Sequence, residues 1–303
     1  MTHPPTIKQL RYLVALEKHL HFGQAAEACF VTQAAFSLAI KELESLLGLA
    51  LVDRNAHHIM LTEAGLKIAE LSSHILLELQ DIIDVAKAYQ QPLTSNIKMG
   101  VIPTIAPFLL PSVLPSLHSQ FPKLKIYLKE DQTKKIHQQL INGELDLLLL
   151  ALPYELAGTE SIALCQDEFK LAYHENTTLI DAANFCIENT LPDSILLLED
   201  GHCMRDHAIS ACNISQQEKI STFAANSLYT LMQMVDNDLG ISFIPQLAID
   251  SGLIRNTHIK TQALQDNPYR IISLVWRKKC LRAEEFSIVA MTLKELINTR
   301  HES

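Results

Sequence analysis

Phe22-Gly-Gln-Ala-Ala-Glu-Ala-Cys29, then Phe30-Val-Thr-Gln33, then a run from Ala34 to Leu47 with Leu38, Ile40, Leu43 and Leu46-Leu47 as its apolar positions, decides the fold of the N-terminal end. The first piece is a short Ala-rich helix, the second breaks it, and the third resumes helical spacing. Gly48 stands where a left-handed residue closes such a helix. Upstream, Ile7, Leu10, Leu13, Val14 and Leu16-Glu17 mark a further helix, and downstream Leu49–Leu61, with Asp53-Arg54 and His57-His58, reads as a two-stranded wing. Helix, tight turn, helix is the helix-turn-helix arrangement, whose second helix lies in a major groove of DNA.

Residues 63–91 continue as one long helix without Gly or Pro after Gly65. Ile68, Ile75, Ile82 and Tyr89 recur every seven residues, with Leu71, Leu79 and Val85 beside them, a face suited to pairing with a second copy. Gln90-Gln-Pro-Leu-Thr-Ser-Asn96 breaks the periodicity and marks a boundary, with 92–96 as hinge. Beyond it, buried strands alternate with helices, an α/β pattern. The strands are expected at Ile97–Ile102, Lys125–Lys129, Leu147–Leu152, Phe169–Tyr173, Ile195–Leu198, Ile241–Pro245 and Arg270–Trp276. The helices are expected at Ala106–Gln120, Lys134–Ile141, Ser227–Asn237 and Glu284–Asn298.

The 303-residue chain has no apolar run long enough to span a bilayer and no apolar leader near its start, so a cytoplasmic protein away from membranes is expected. Its net charge of −9 argues against general affinity for nucleic acid but not against a small DNA-reading module. Residues 1–65 hold five cations (Lys8, Arg11, Lys18, Lys41, Arg54) and six anions (Glu17, Glu27, Glu42, Glu44, Asp53, Glu63). Phosphate contacts rest largely on Lys and Arg, so one such module binds weakly and depends on several copies engaging one long site. The six cysteines (29, 165, 186, 203, 212, 280) are too scattered in too large a chain to be a disulfide framework.

Glu199-Asp-Gly-His-Cys-Met-Arg-Asp-His-Ala-Ile-Ser-Ala-Cys212 carries the chemistry. His202 and Arg205 bracket Cys203, and positive charge beside it would favour a thiolate. If the segment is helical, Cys203 and Cys212 stand roughly 13 Å apart, whereas a disulfide tolerates about 4.4–6.8 Å between Cα atoms. Bridging them requires the helix to unravel. Closing so short a loop is worth roughly 3 kcal/mol, comparable with the cost of exposing Met204 or Ile209. A metal reading of Cys203, His207 and Cys212 lacks a local fourth ligand, and no metal or other cofactor is expected.

Leu10-Arg-Tyr-Leu-Val14, His21-Phe22, Gln24-Ala-Ala26, Val31-Thr-Gln33, Ser37, Lys41-Glu-Leu-Glu44, Leu47-Gly48, Asp53-Arg54 and Leu61-Thr-Glu-Ala-Gly65 resemble the winged helix-turn-helix of LysR-type transcriptional regulators. The family usually has Pro where Ala34 stands, polar or basic residues where Leu38 and Ala39 stand, and a basic wing where this chain has Asn55-Ala-His-His58. Ile102-Pro-Thr-Ile-Ala-Pro-Phe-Leu-Leu-Pro111 and the 199–212 segment are similar to those of the OxyR subgroup, the peroxide-responsive activators of the family.

The resemblance implies a mostly-α winged module at 1–62, a dimerisation helix at 63–91, and a two-lobed α/β effector domain at 97–303 resembling periplasmic binding proteins. Lobe I would take about 97–165 and 271–303, and lobe II about 166–270. The DNA contacts would be Thr32, Gln33, Ser37, Lys41 and Arg54, each otherwise a plain surface residue. Cys203 would be the peroxidatic thiol and Cys212 the resolving one, with Thr104, Thr133, His202, Arg205 and Arg270 around the peroxide. Thr133 could equally cap the helix at Lys134–Ile141, and Thr104 could be an ordinary turn residue. The implied partners are promoter double-stranded DNA, further copies in a homodimer or homotetramer, RNA polymerase, hydrogen peroxide, and a thiol reductant of glutaredoxin or thioredoxin type. The reading is a regulator and not an enzyme. The alternatives are a LysR-type regulator sensing a small organic ligand between the lobes, and a thiol peroxidase.

Overall fold

The structure is a computed structural model that describes residues 3–53, 59–90, 93–94, 96–212, 214 and 216–301. It divides into two compact units, Met1–Ala86 and Lys87–Ser303. Arg54 and Asn55-Ala-His-His58 lie outside the described residues, as do positions 92 and 95 of the hinge.

The first unit contains α1 (Ile7–His19), α2 (Phe22–Ala28), α3 (Gln33–Leu47), the short wing strands β1 (Val52–Asp53) and β2 (Met60–Leu61), and α4 (Glu63–Gln90). Each short helix starts on a side-chain cap that replaces a missing intrahelical acceptor. Thr6 and Gln9 form a reciprocal capping box on α1, His21 Nδ1 accepts from the amides of Gly23 and Gln24, and Thr32 Oγ1 accepts from Ala35 N. Gly48 closes α3 at φ 67°. The core forms around Phe36, which stacks on Tyr12 at 4.8 Å and meets Phe22 edge-on at 6.0 Å. Gly65 lets α4 pass the chain before β1, since a Cβ there would come within 2.2 Å of the Leu51 carbonyl oxygen. Of the heptad positions on α4, Leu71, Ile75 and Ile82 are 62, 45 and 60% exposed. The side chains of Val85 and Tyr89 lie outside the description.

The second unit runs β3 (Asn96–Val101), α5 (Ala106–Gln120), β4 (Lys125–Glu130), α6 (Thr133–Ile141), β5 (Leu147–Leu152) and β6 (Thr159–His174). It continues through β7 (Ile195–Leu198), α7 (Cys203–Ala211), β8 (Ile220–Ala225), α8 (Leu228–Asp236), β9 (Ser242–Pro245), α9 (Gln246–Asp250), β10 (Ile259–Ala263), β11 (Tyr269–Arg277) and α10 (Ala283–His301). One sheet has the order β10-β6-β11-β5-β3-β4 with β9 also on β6, and β7 pairs with β8 separately. β3 pairs in parallel with the largely exposed edge strand β4 on one side and with β5 on the other, and Leu147–Ala151 of β5 is apolar and buried throughout. The 16-residue β6 changes partners along its length: Thr159–Glu168 lies against β11, and Phe169–His174 against β9 and β10. Only its second half was expected as a strand. β8, β10 and α9 were not expected, because β8 and β10 are largely exposed and show no run of alternating apolar residues.

Candidate functional site

The chain leaves β7 at Leu198, turns through Glu199-Asp-Gly-His202, and starts α7 at Cys203. Gly201 makes the turn at φ +93°, where a Cβ would stand 2.9 Å from Gln132 Oε1. Both the backbone angle and the neighbour therefore favour glycine. The turn brings Cys203 and His202 against two segments from far earlier in the chain, Ile102-Pro103-Thr104 and Gln132-Thr133. With Met204 these residues line a narrow, tightly packed cavity. Thr104, Thr133, His202 and Cys203 are all buried.

Arg270, on β11, is completely buried behind this cavity. Its Nε donates to Asp167 Oδ2 at 2.9 Å, one Nη to Thr104 Oγ1 at 2.8 Å and the other to the Thr104 carbonyl at 3.0 Å. Asp167 in turn accepts from Leu247 N at 2.9 Å. A hydroxyl that accepts from a guanidinium has its own proton left to donate. Thr104 is thus set up as a donor toward the cavity.

Thr133 is the first residue of α6, not its cap: Gln132 holds the cap position, and the Thr133 hydroxyl is buried without a hydrogen-bond partner. That overturns the capping alternative. A buried, unsatisfied hydroxyl costs stability unless something fills it. The hydroxyl stands beside Cys203 and favours its thiolate, although the pair falls short of full hydrogen-bond geometry.

Burial pushes the Cys203 thiol up, against the Thr133 hydroxyl, the Arg270 charge and the Met204 amide, which favour the anion; Asp206 adds to the rise. The expected bracket of two cations is corrected here. Burial holds the His202 imidazole below its ordinary value, so it is neutral at pH 7. Arg205 is bonded to Asp200 Oδ1 at 2.9 Å and to the Leu198 carbonyl at 3.3 Å, and it does not line the cavity. Arg270 is the cation that reaches the thiol.

α7 is continuous from Cys203 to Ala211, and Cys212 is its C-cap. Nine residues at a rise of about 1.5 Å separate the two cysteines by roughly 13 Å, and both are free thiols. Burial pushes Cys212 up to about 12. On the same helix, His207 Nε2 lies 2.7 Å from the Pro153 carbonyl, which holds α7 to the loop after β5.

In the first unit, Thr32 and Gln33 are exposed at the start of α3, Lys41 is exposed two turns on, and Ser37 is half-buried. Family models match both units. The model for the bacterial regulatory helix-turn-helix protein of the lysR family covers residues 7–66, and that for the LysR substrate binding domain covers 90–295. The chain belongs to the LysR family.

Among individual LysR-family relatives, the chain is 35% identical to the transcriptional regulator EstR of Acinetobacter baylyi over 298 residues, 98% of this chain and 99% of that one. It is also 35% identical to the hydrogen peroxide-inducible genes activator of Dickeya chrysanthemi over 271 residues, 89% of each chain. A cysteine-to-aspartate variant of full-length OxyR from Pseudomonas aeruginosa superposes with a TM-score of 0.76 at 31% identity, covering 96% of this chain and 95% of that one. Among the described residues no helix is long and apolar enough to cross a membrane, and no cluster of His, Cys, Asp and Glu is arranged to hold a metal ion.

Two residues of this LysR-family pocket escaped the sequence reading. Gln132 packs on Gly201, and its only signal was its place before a helix. Asp167 pairs with Arg270 from 103 positions away, and nothing local to either residue announces that pairing.

Proposed function

We propose that this LysR-family regulator senses hydrogen peroxide through Cys203 and responds by forming a Cys203–Cys212 disulfide. The carrying observation is the tightly closed cavity in front of Cys203, lined by two threonine hydroxyls, one directed by Arg270 and the other unpartnered. The cavity is far tighter than pockets for organic ligands, which usually run to about 300–1,000 Å³. A two-oxygen molecule that both donates and accepts suits the smaller space.

In the first step the Cys203 thiolate attacks one peroxide oxygen, the O–O bond breaks, and hydroxide leaves, taking a proton to become water. Cys203 is then a sulfenic acid. In the second step the Cys212 sulfur attacks Cys203 Sγ, the S–O bond breaks, water leaves, and two thiols have become one disulfide. Arg270 favours the thiolate, and the hydroxyls of Thr104 and Thr133 hold the O–O bond in line with Sγ. Because α7 keeps the two sulfurs apart, the second step proceeds only as the helix opens. Opening also releases His207 from Pro153 and exposes Met204 and Ala208.

The rearranged segment would change how effector domains pack in a homodimer or homotetramer, and so how pairs of winged modules sit on promoter DNA and meet RNA polymerase. In this reading residues 63–91 pair two copies, 92–96 form the hinge, and the two lobes occupy 97–303. A thiol reductant of glutaredoxin or thioredoxin type resets the bridge. The apolar positions exposed on α4 support pairing between copies. The test is mass spectrometry of the full chain after one equivalent of peroxide. An intramolecular 203–212 linked peptide is expected, and its absence, or equal oxidation of the Cys203→Ser variant, would sink the mechanism.

A further inference from the structure

The recognition helix α3 buries Phe36, Ile40 and Leu43. At about 100° per residue, the positions facing away from that stripe are Ala34, Leu38, Lys41 and Ser45, and all four are exposed. The outward ridge of the N-terminal half, the part that reaches base edges in a helix-turn-helix, is therefore Ala34 and Leu38, one turn apart. Leu38 is 58% exposed although the module has a well-filled core beneath it. Ser37 lies nearer the flank and is half-buried.

Neither Ala34 nor Leu38 carries a hydrogen-bonding group, so neither can read a base by donating or accepting. Apolar side chains distinguish one feature in the major groove, the C5-methyl of thymine. Lys41, on the same ridge, is placed to meet a phosphate beyond them. The shortage of cations in residues 1–65 leaves the module little non-specific attraction to rely on.

We infer that Leu38, with Ala34 beside it, is a specificity-determining contact that reads thymine methyl groups in the operator. This rests on the winged module being the DNA-binding part of the chain. It also accounts for a leucine kept in water at the centre of a DNA-reading face.

The test uses the reduced full-length chain. Bound sequences are selected from a random double-stranded library, and each thymine of the selected half-site is then replaced singly by deoxyuridine, which removes only the methyl group. At one or two positions the wild-type protein is expected to lose about fourfold in affinity, the size of one buried methyl. Leu38→Ala is expected to bind the thymine site more weakly and to show no further loss with uracil, whereas Leu38→Met keeps the sensitivity. Equal uracil penalties in wild type and Leu38→Ala, or none in wild type, would overturn the inference. If Leu38→Ala binds too weakly to measure, Leu38→Met decides, and loss of its methyl sensitivity overturns the inference. Failure to select any sequence would instead refute DNA reading by the module.

Discussion

Arg270 donates to the hydroxyl of Thr104 at 2.8 Å across 166 positions of sequence. The bond joins a charge with no access to solvent to the wall of the thiol cavity, and Asp167 balances the charge from behind at 2.9 Å. Breaking a buried pair by removing one partner costs about 3–5 kcal/mol, because the other charge is left uncompensated. Arg270→Met is therefore expected to lower the urea unfolding free energy by about that much. Arg270→Met combined with Asp167→Leu should recover most of the stability without restoring the rate of disulfide formation. If the double variant senses peroxide at the wild-type rate, Arg270 has no role at the thiol.

Thr133 tests the pocket with little cost to the fold. Its hydroxyl has no partner, so Thr133→Val removes an unsatisfied buried group and is expected to leave stability unchanged or slightly raised. The same change should slow peroxide oxidation of Cys203 by about tenfold or more, on the scale of losing one positioned hydrogen-bonding group. Stopped-flow measurement of disulfide formation beside a denaturant titration separates the two effects. Loss of stability with an unchanged rate would mean that the hydroxyl is structural.

Acid should loosen the switch helix. Burial is the main cause that holds His207 below its usual 6.5, with the Arg270 charge adding to it against the Pro153 bond, and burial likewise lowers His202. A depressed folded-state value gives stability that is complete above about 6.5 and is lost as pH falls through the folded values. Unfolding midpoints of the reduced protein should drop as pH falls below about 6.5, and His207→Gln should flatten part of that drop. Identical profiles for the two proteins would remove His207 from the account.

The long helix carries the assembly prediction. Ile75 and Ile82 are exposed on α4, seven residues apart, and a charge at either position would have to be buried in a paired helix. Ile75→Asp or Ile82→Asp is expected to shift the protein toward monomer in sedimentation velocity. DNA affinity should fall more than tenfold, since linked modules lose their effective concentration when parted. A dimer that persists in the double variant would place the interface elsewhere.

Local signals in the sequence carried much of this protein. Helical spacing and a closing glycine located α1 to α3, the unbroken run after Gly65 located α4, and apolar runs located β5 and β7 to the residue. The Cys203–Cys212 spacing already implied that a bridge must break a helix, because helical rise is a local quantity. Tertiary structure alone decided which charge stands behind the thiol. The sequence offered His202 and Arg205 beside the thiol and, through the family resemblance, Arg270, but burial neutralises the first and Asp200 engages the second. Of the three it is Arg270 whose charge favours the thiolate, held by an aspartate 103 positions away. Charge acts through space and depends on desolvation, and neither the distance between β6 and β11 nor the burial of a side chain is encoded in residues adjacent along the chain.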